Sequence, residues 1–269
     1  MQLGIGTYSF PWTFGVKDFT PPQPFTATDL LYYAARKDIR IVQFGDNYPL
    51  HDLSNEELNE LKNLASQLNL ELQVGTRKLV VEHITRYISI AGIFNCDFVR
   101  VVIDDDHYHP KPDEVIEIIN ELLPDLKTAN IRLAIENHDR FPALVLKGII
   151  ESTDSDHIAI CLDTANSLGA GEGLREVLSI LGPYTVNLHI KDVRINRLDH
   201  KMGFRVVGCP AGTGVLNIPS LVQEIKKYGR CNSAILEMWS DPEATFEETI
   251  RKEKDAVEKS IEYLKTIIT

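Results

Sequence analysis

Eight times along this chain a short apolar run is followed by a stretch with helical signals, and that repetition constrains the fold more than any other feature. The strand-like runs cover residues 3–9, 39–44, 70–74, 97–103, 131–136, 158–163, 185–192 and 233–239. Between them, helices are expected from Thr28-Asp29-Leu30 onward, then over 54–69, 81–94, 112–129, 143–152, 174–181 and 218–228, with a long closing helix over 242–268. Alternation of this kind requires parallel strands joined by right-handed crossovers. Eight such units close into a (β/α)8 TIM barrel, an α/β fold of about 250 residues, which suits a chain of 269. A doubly wound open sheet is the competing arrangement, but no G-x-G-x-x-G turn follows the first strand. No Gly- or Ser-rich linker and no shift of composition divides the chain, so residues 1–269 are expected to form a single TIM-barrel domain.

Charge and cysteine usage narrow the function. With 39 acidic and 28 basic side chains the net charge is −11, and no Lys/Arg run offers a local basic patch. Such a field repels a phosphate backbone, so no nucleic-acid partner is expected. Cys96, Cys161, Cys209 and Cys231 have no C-x-x-C spacing, and three of them sit within or beside strand-like apolar runs, where reduced, buried thiols are expected. The start of the chain lacks a basic segment leading into an apolar one, and no run reaches membrane-spanning length. A cytoplasmic location without a membrane partner is the expectation.

Barrel active sites lie at the carboxyl ends of the strands. Strand five ends in Glu136, followed by Asn137 and His138; strand six ends in Asp163, followed by Thr164 and Asn166. Strand seven alternates Val186, Leu188 and Ile190 with Thr185, Asn187, His189 and Lys191, which gives one face to the helix layer and the other to the barrel mouth. Strand eight ends in Glu237, followed by Met238 and Trp239. Each acid alone reads as a loop charge or a helix cap. Three carboxylates converging on one mouth repel one another unless something neutralises them. One divalent metal, Mn, Mg, Co or Zn, is the economical answer for a mixed oxygen and nitrogen set without thiolates.

The segments Ala134-Ile135-Glu136-Asn137-His138, Cys161-Leu162-Asp163-Thr164, Leu188-His189-Ile190-Lys191-Asp192 and Ile235-Leu236-Glu237 resemble the xylose-isomerase-like TIM-barrel family. That family holds sugar isomerases, ketose 3-epimerases, dehydratases and, more distantly, endonuclease IV. The resemblance implies that Glu136, Asp163, His189 and Glu237 are metal ligands. It also implies that Glu136 and Glu237 move protons on opposite faces of a sugar, through an enediolate that the metal stabilises. Lys191 lies on the same strand face as His189 and is expected either to hold a substrate oxygen or to pair with Asp163 or Glu136. Relatives are often dimers or tetramers, so a homodimer or homotetramer is expected.

Two features separate this chain from ketose 3-epimerases. Those enzymes carry a His three residues after the strand-six Asp, where Asn166 stands here; Asn hydrogen-bonds a hydroxyl but does not titrate. The second is the long segment 193–217, read as a lid, with Arg194, Arg197, His200 and Arg205 before Gly208-Cys209-Pro210-Ala211-Gly212-Thr213-Gly214. Arginine matches carboxylate or phosphate in bidentate fashion. Asn166, His138, Arg194, Arg205 and His200 are therefore candidate contacts to a sugar acid or sugar phosphate, unless the basic loop is simply solvated. The same loop resembles family members that decarboxylate a 3-oxo sugar acid, as 3-oxo-isoapionate decarboxylase does.

An isomerase or epimerase of a small sugar is thus the first expectation, and a lyase, decarboxylase or dehydratase, the alternative. An endonuclease-IV-like nuclease and a non-catalytic sugar-binding barrel stand behind both. Asp104-Asp105-Asp106-His107-Tyr108-His109 looks like a second metal cluster, but consecutive carboxylates cannot all aim at one ion and a solvated loop is favoured. Trp12, Phe14 and Trp239 are candidates for an apolar wall, with core packing as the default.

Overall fold

The computed structural model describes residues 1–153 and 156–268. Eight parallel strands close in the order β1-β10-β7-β6-β5-β4-β3-β2. They are β1 (Gln2–Gly6), β2 (Ile41–Phe44), β3 (Glu71–Arg77), β4 (Phe98–Val102), β5 (Arg132–Glu136), β6 (Ile158–Asp163), β7 (Thr185–Ile190) and β10 (Ser233–Leu236). The expected (β/α)8 TIM barrel is the observed fold. Around it run α2 (Ala27–Arg36), α3 (Asn55–Gln67), α4 (Val81–Phe94), α5 (Pro112–Ala129), α6 (Ala143–Glu151), α7 (Leu174–Leu181), α8 (Ile218–Tyr228) and α9 (Phe246–Leu264), after a single turn, α1 (Pro11–Phe14). No helix among the described residues is long and apolar enough to cross a membrane.

Strand seven behaves as its alternation requires. Val186, Leu188 and Ile190 join the apolar core beneath the helices. Asn187 bonds side chains of β2 and β3 across the lumen, so the polar face looks inward. All four cysteines are free and buried.

Element ends depart from expectation where capping and pairing decide. Helix α2 starts earlier than Thr28, because Thr26 is its N-cap: Asp29 N–H donates to Thr26 Oγ1, and Thr26 N–H to the Asp29 carboxylate. Strand β3 runs on to Arg77, since Thr76 and Arg77 pair with Val101 and Val102. The first strand stops at Gly6, whose N–H turns to Ser9 Oγ at 2.9 Å and starts a 3-10 turn. The closing helix begins only at Phe246, capped by Thr245.

The largest departure is the segment after β7. Expected as a loop, it is an antiparallel hairpin, β8 (Asp192–Arg197) and β9 (Phe204–Cys209), paired from Asp192↔Cys209 to Arg197↔Phe204. The buried Asp192 carboxylate anchors its base by accepting from the N–H groups of Val193, Gly212, Gly214 and Leu216. Gly208 lets the hairpin lie against the strand-eight loop: a Cβ there would sit 1.8 Å from the Trp239 carbonyl oxygen. Gly208→Ala is expected to push hairpin and Trp239 apart, at a cost of about 1–3 kcal/mol typical of overpacking. A lower Tm together with a changed Trp fluorescence checks this; an unshifted Tm would mean that the contact yields freely.

Candidate active site and metal centre

Four neighbouring strands deliver the acidic cluster. Glu136 ends β5, Asp163 ends β6, His189 lies near the end of β7 and Glu237 follows β10. The register sets Asp163 and Ile235 beside His189. All four side chains are buried. Ligand atoms of Asp163, His189 and Glu237 lie within 4.8 Å of one another, and so do those of Glu136, Cys161 and His189.

Two cations are built into this cluster. Lys191 Nζ lies 2.5 Å from Asp163 Oδ2, 2.8 Å from Glu237 Oε2 and 3.3 Å from Asn166 Oδ1, so its three N–H groups have three acceptors. Arg100, from the middle of β4, pairs through Nε with Glu136 Oε2 and through Nη1 with Asp46 Oδ1 at 2.9 Å. Gly75 on β3 makes the room, since a Cβ there would come within 3.0 Å of Arg100 Cδ.

Titration follows from these contacts. Burial pushes Glu136 up, but Arg100 and then His189 outweigh it and hold the carboxyl well below its usual range. Asp163 is raised, by burial first and by Glu136 and Glu237 in addition, against the pull of Lys191. Burial pulls Lys191 down, yet Asp163, Glu237 and Glu136 prevail and keep the ammonium above its ordinary value. Lys191 is therefore a fixed charge.

His189 supplies the test of whether this donor set fits a metal ion. Its Nε2 lies 2.7 Å from Gln43 Oε1. Its Nδ1 faces Glu136 Oε2 at 3.2 Å and Glu237 Oε1 at 3.1 Å, yet is buried without a hydrogen-bond partner. An orphaned imidazole nitrogen aimed at two carboxylate oxygens suits a shared cation, and oxygen with nitrogen donors suits a hard or borderline divalent one. The residues present fit.

The other candidates divide. Asn166 lies inside, donating to Glu136 Oε1 at 2.7 Å, and His138 lines the same cavity beside Asp139. Arg194, Arg205 and His200 stay outside: Arg194 bonds Thr213, Arg205 pairs with Asp241, and His200 accepts from Met202 N–H near the hairpin tip. The hairpin instead presents Val206, Val207 and Gly208 to the cavity, whose volume is about 640 Å³. Trp12 and Trp239 do form a wall, with the Trp239 ring 5.3 Å from Lys191 Nζ. Phe14 packs against Phe25 and Tyr48. Asp104 pairs with Arg140 and Asp105 with Lys78, in keeping with a structural loop and not a second metal cluster; the Tyr108 hydroxyl donates to Leu79 O.

Sequence reasoning passed over Arg100, Asp46 and Gln43. A signal was there for two of them: Arg100 interrupts Phe98-Val99-Arg100-Val101-Val102, and Gln43 interrupts Ile41-Val42-Gln43-Phe44. A polar residue inside a short apolar strand is inward-facing or paired.

Comparison with known proteins assigns the chain to a family. Residues 31–267 match the family described as xylose isomerase-like TIM barrel, and the chain belongs to that family. It is 32% identical over 266 residues to 3-oxo-isoapionate decarboxylase of Pectobacterium atrosepticum, covering 99% of this chain and 96% of that one. Among solved structures it resembles D-psicose 3-epimerase with D-tagatose from Clostridium cellulolyticum H10, with a TM-score of 0.74 at 14% identity over 99% and 98% of the two chains. A xylose isomerase-like TIM barrel protein from Mycobacterium smegmatis, in complex with magnesium, has a TM-score of 0.72 at 14% identity over 98% and 97%. The two structural likenesses carry the fold alone.

The rim of the cavity has its own titratable anchor. Glu253 on α9 accepts from Trp12 N–H at 2.8 Å and from Thr13 N–H at 2.9 Å, while Trp12 Nε1 donates to Ser240 O. Burial pushes Glu253 up to about 7, against the hydrogen bonds from Thr13 and Trp12. A carboxyl whose native value exceeds its unfolded value of 4.5 stabilises fully below that pH, then loses the contribution as pH rises to about 7. Urea unfolding should show stability falling across this window by on the order of 3 kcal/mol. Glu253→Gln should flatten the slope; an unchanged slope would assign it to another group.

Proposed function

We propose that this chain is a lyase that decarboxylates a 3-oxo sugar acid. The observation that carries the reading is the pair of buried cations, Arg100 and Lys191, set among Glu136, Asp163 and Glu237. Three carboxylates and a divalent ion alone would sum to one negative charge, suited to a neutral sugar. The two fixed cations turn that into one positive charge, suited to an anion; Asp46 and Arg77 pair and cancel. Likeness to the Pectobacterium decarboxylase over nearly the whole chain supports the same reading.

The ion pairs also bear on which bond breaks. Epimerisation needs a carboxylate free to take a proton from carbon. Glu136 is held by Arg100, by Asn166 and by the proximity of His189, which makes it a weak base. Decarboxylation needs no base. The bond between the carboxyl carbon and its neighbour breaks, carbon dioxide leaves, and the electron pair moves toward the former 3-oxo oxygen. That oxygen has to be held while negative, and the neighbouring carbon takes up a proton afterwards. A divalent ion bound by Glu136, Asp163, His189 and Glu237 would supply Lewis-acid stabilisation of that charge.

Lys191 contributes from the chain itself. Its longest contact, 3.3 Å to Asn166 Oδ1, is the one a substrate oxygen can replace without uncovering a carboxylate. Trp12, Trp239 and the hairpin valines give the cavity an apolar wall beside the reacting carbons.

The test is proton NMR in D₂O with carbon dioxide release measured in parallel, on 3-oxo sugar acids, ketoses and ketose phosphates. Release of carbon dioxide with deuterium at the cleaved carbon is expected from a 3-oxo sugar acid, lost on chelation. Lys191→Met should lower kcat by about 10²–10³-fold, as removal of one oxyanion donor does. Exchange of a C–H beside a ketose carbonyl, without carbon dioxide, would instead establish an isomerase or epimerase and sink the lyase reading.

A further inference from the structure

Beneath the carboxylates the barrel is filled with polar side chains where aliphatic layers are the rule. Gln43 on β2, Gln73 on β3, Asn187 on β7 and Ser233 on β10 are all buried and meet across the lumen. Gln43 Nε2 donates to Gln73 Oε1 at 3.2 Å and to Asn187 Oδ1 at 3.0 Å. Those two bonds use both amide hydrogens, so the carbonyl end points the other way, onto His189 Nε2 at 2.7 Å.

The partners are oriented in turn. Gln73 Nε2 and Asn187 Nδ2 donate to Ser233 Oγ at 3.0 and 2.7 Å, which leaves both amide oxygens as acceptors. Cys161 Sγ adds a weak donor to Asn187 Oδ1 at 3.2 Å. Turning Gln43 over would set its oxygen against two other oxygens and its NH₂ group against the ring.

We infer that Gln43 is a positioning residue: it offers His189 Nε2 only an acceptor, keeps a proton there, and so aims the Nδ1 lone pair at Glu136 and Glu237. The inference rests on reading the His189 cluster as a cation site, but not on which reaction the site performs. Outer partners of this kind are worth about 10–100-fold in metal affinity.

The test uses the full chain labelled with ¹⁵N-histidine and kept free of metal. A slowly exchanging ring proton on His189 Nε2, assigned by its loss in His189→Asn, is expected in the native protein. In Gln43→Leu that proton should exchange fast or disappear, and Mn²⁺ titration followed by electron paramagnetic resonance should show affinity about 10–100-fold weaker. Gln43→Glu, which retains the acceptor, should restore the Nε2 proton; it also serves if the leucine variant does not fold. A native Nε2 without a proton overturns the inference, as does unchanged Mn²⁺ affinity in a folded Gln43→Leu. If the native protein binds no Mn²⁺, the metal reading fails while the Nε2 proton still decides the role of Gln43. If no 3-oxo sugar acid is turned over, both readouts stand.

Discussion

The barrel mouth rests on one electrostatic necessity: three buried carboxylates within reach of one imidazole have to be neutralised from inside the protein. Water has little access to Glu136, Asp163 and Glu237, so their repulsion is weakly screened. The chain answers with Arg100 from β4 and Lys191 from just beyond β7, one on each side of the cluster. Each cation depends on its surroundings in turn. Arg100 needs the space that Gly75 leaves and a second acid, Asp46, for its other nitrogen. Removing one member of such a set strands the others, and stranded buried charges cost about 3–5 kcal/mol. Arg100 thereby ties β4 by charge to β5 and to the loop after β2, in addition to the backbone ladders.

The same arrangement gives the cavity two unlike ends. Its floor is a set of paired charges around the unpartnered His189 Nδ1, and its rim is Trp12, Trp239 and the valines of β9. Both tryptophans are held by contacts reaching far along the chain. Trp12 is pinned through its backbone by Glu253 of α9, and Trp239 by the approach of Gly208 in the hairpin. The hairpin in turn hangs on Asp192, whose carboxylate collects four backbone N–H groups. In a hairpin anchored this way the apolar contribution to the cavity is set by β-pairing, while Arg194 and Arg205 are taken up by Thr213 and Asp241 and Arg197 by Lys201 O.

The barrel was legible because its signals are local. Alternation of apolar runs with capped helices, and the inward periodicity of Thr185 to Lys191, need no knowledge of what lies across the lumen. Glu136, Asp163, His189 and Glu237 were legible too, because strand ends in a barrel converge by topology. Arg100, Gln43 and Asp46 were not read, because their meaning depends on partners 36, 146 and 54 residues away. The hairpin was missed for a related reason. Its β9 strand, Phe204-Arg205-Val206-Val207-Gly208-Cys209, follows Gly203, contains a glycine and stops before Pro210, and only pairing with β8 distinguishes it from a loop.

Charge defines this cavity in chemical terms as much as its candidate ligands do. The four residues that would hold a divalent ion are acids and an imidazole, a set that by itself favours a neutral, chelating ligand. Arg100 and Lys191 leave those four in place and raise the net charge of the site by two. They also occupy carboxylate oxygens that a proton-transfer reaction would need free. Two cations set among the four candidate ligands thus bear both on the class of molecule the cavity attracts and on the step its carboxylates can assist. On the proposed reading, those two cations are what suits the barrel mouth to an acid that loses carbon dioxide.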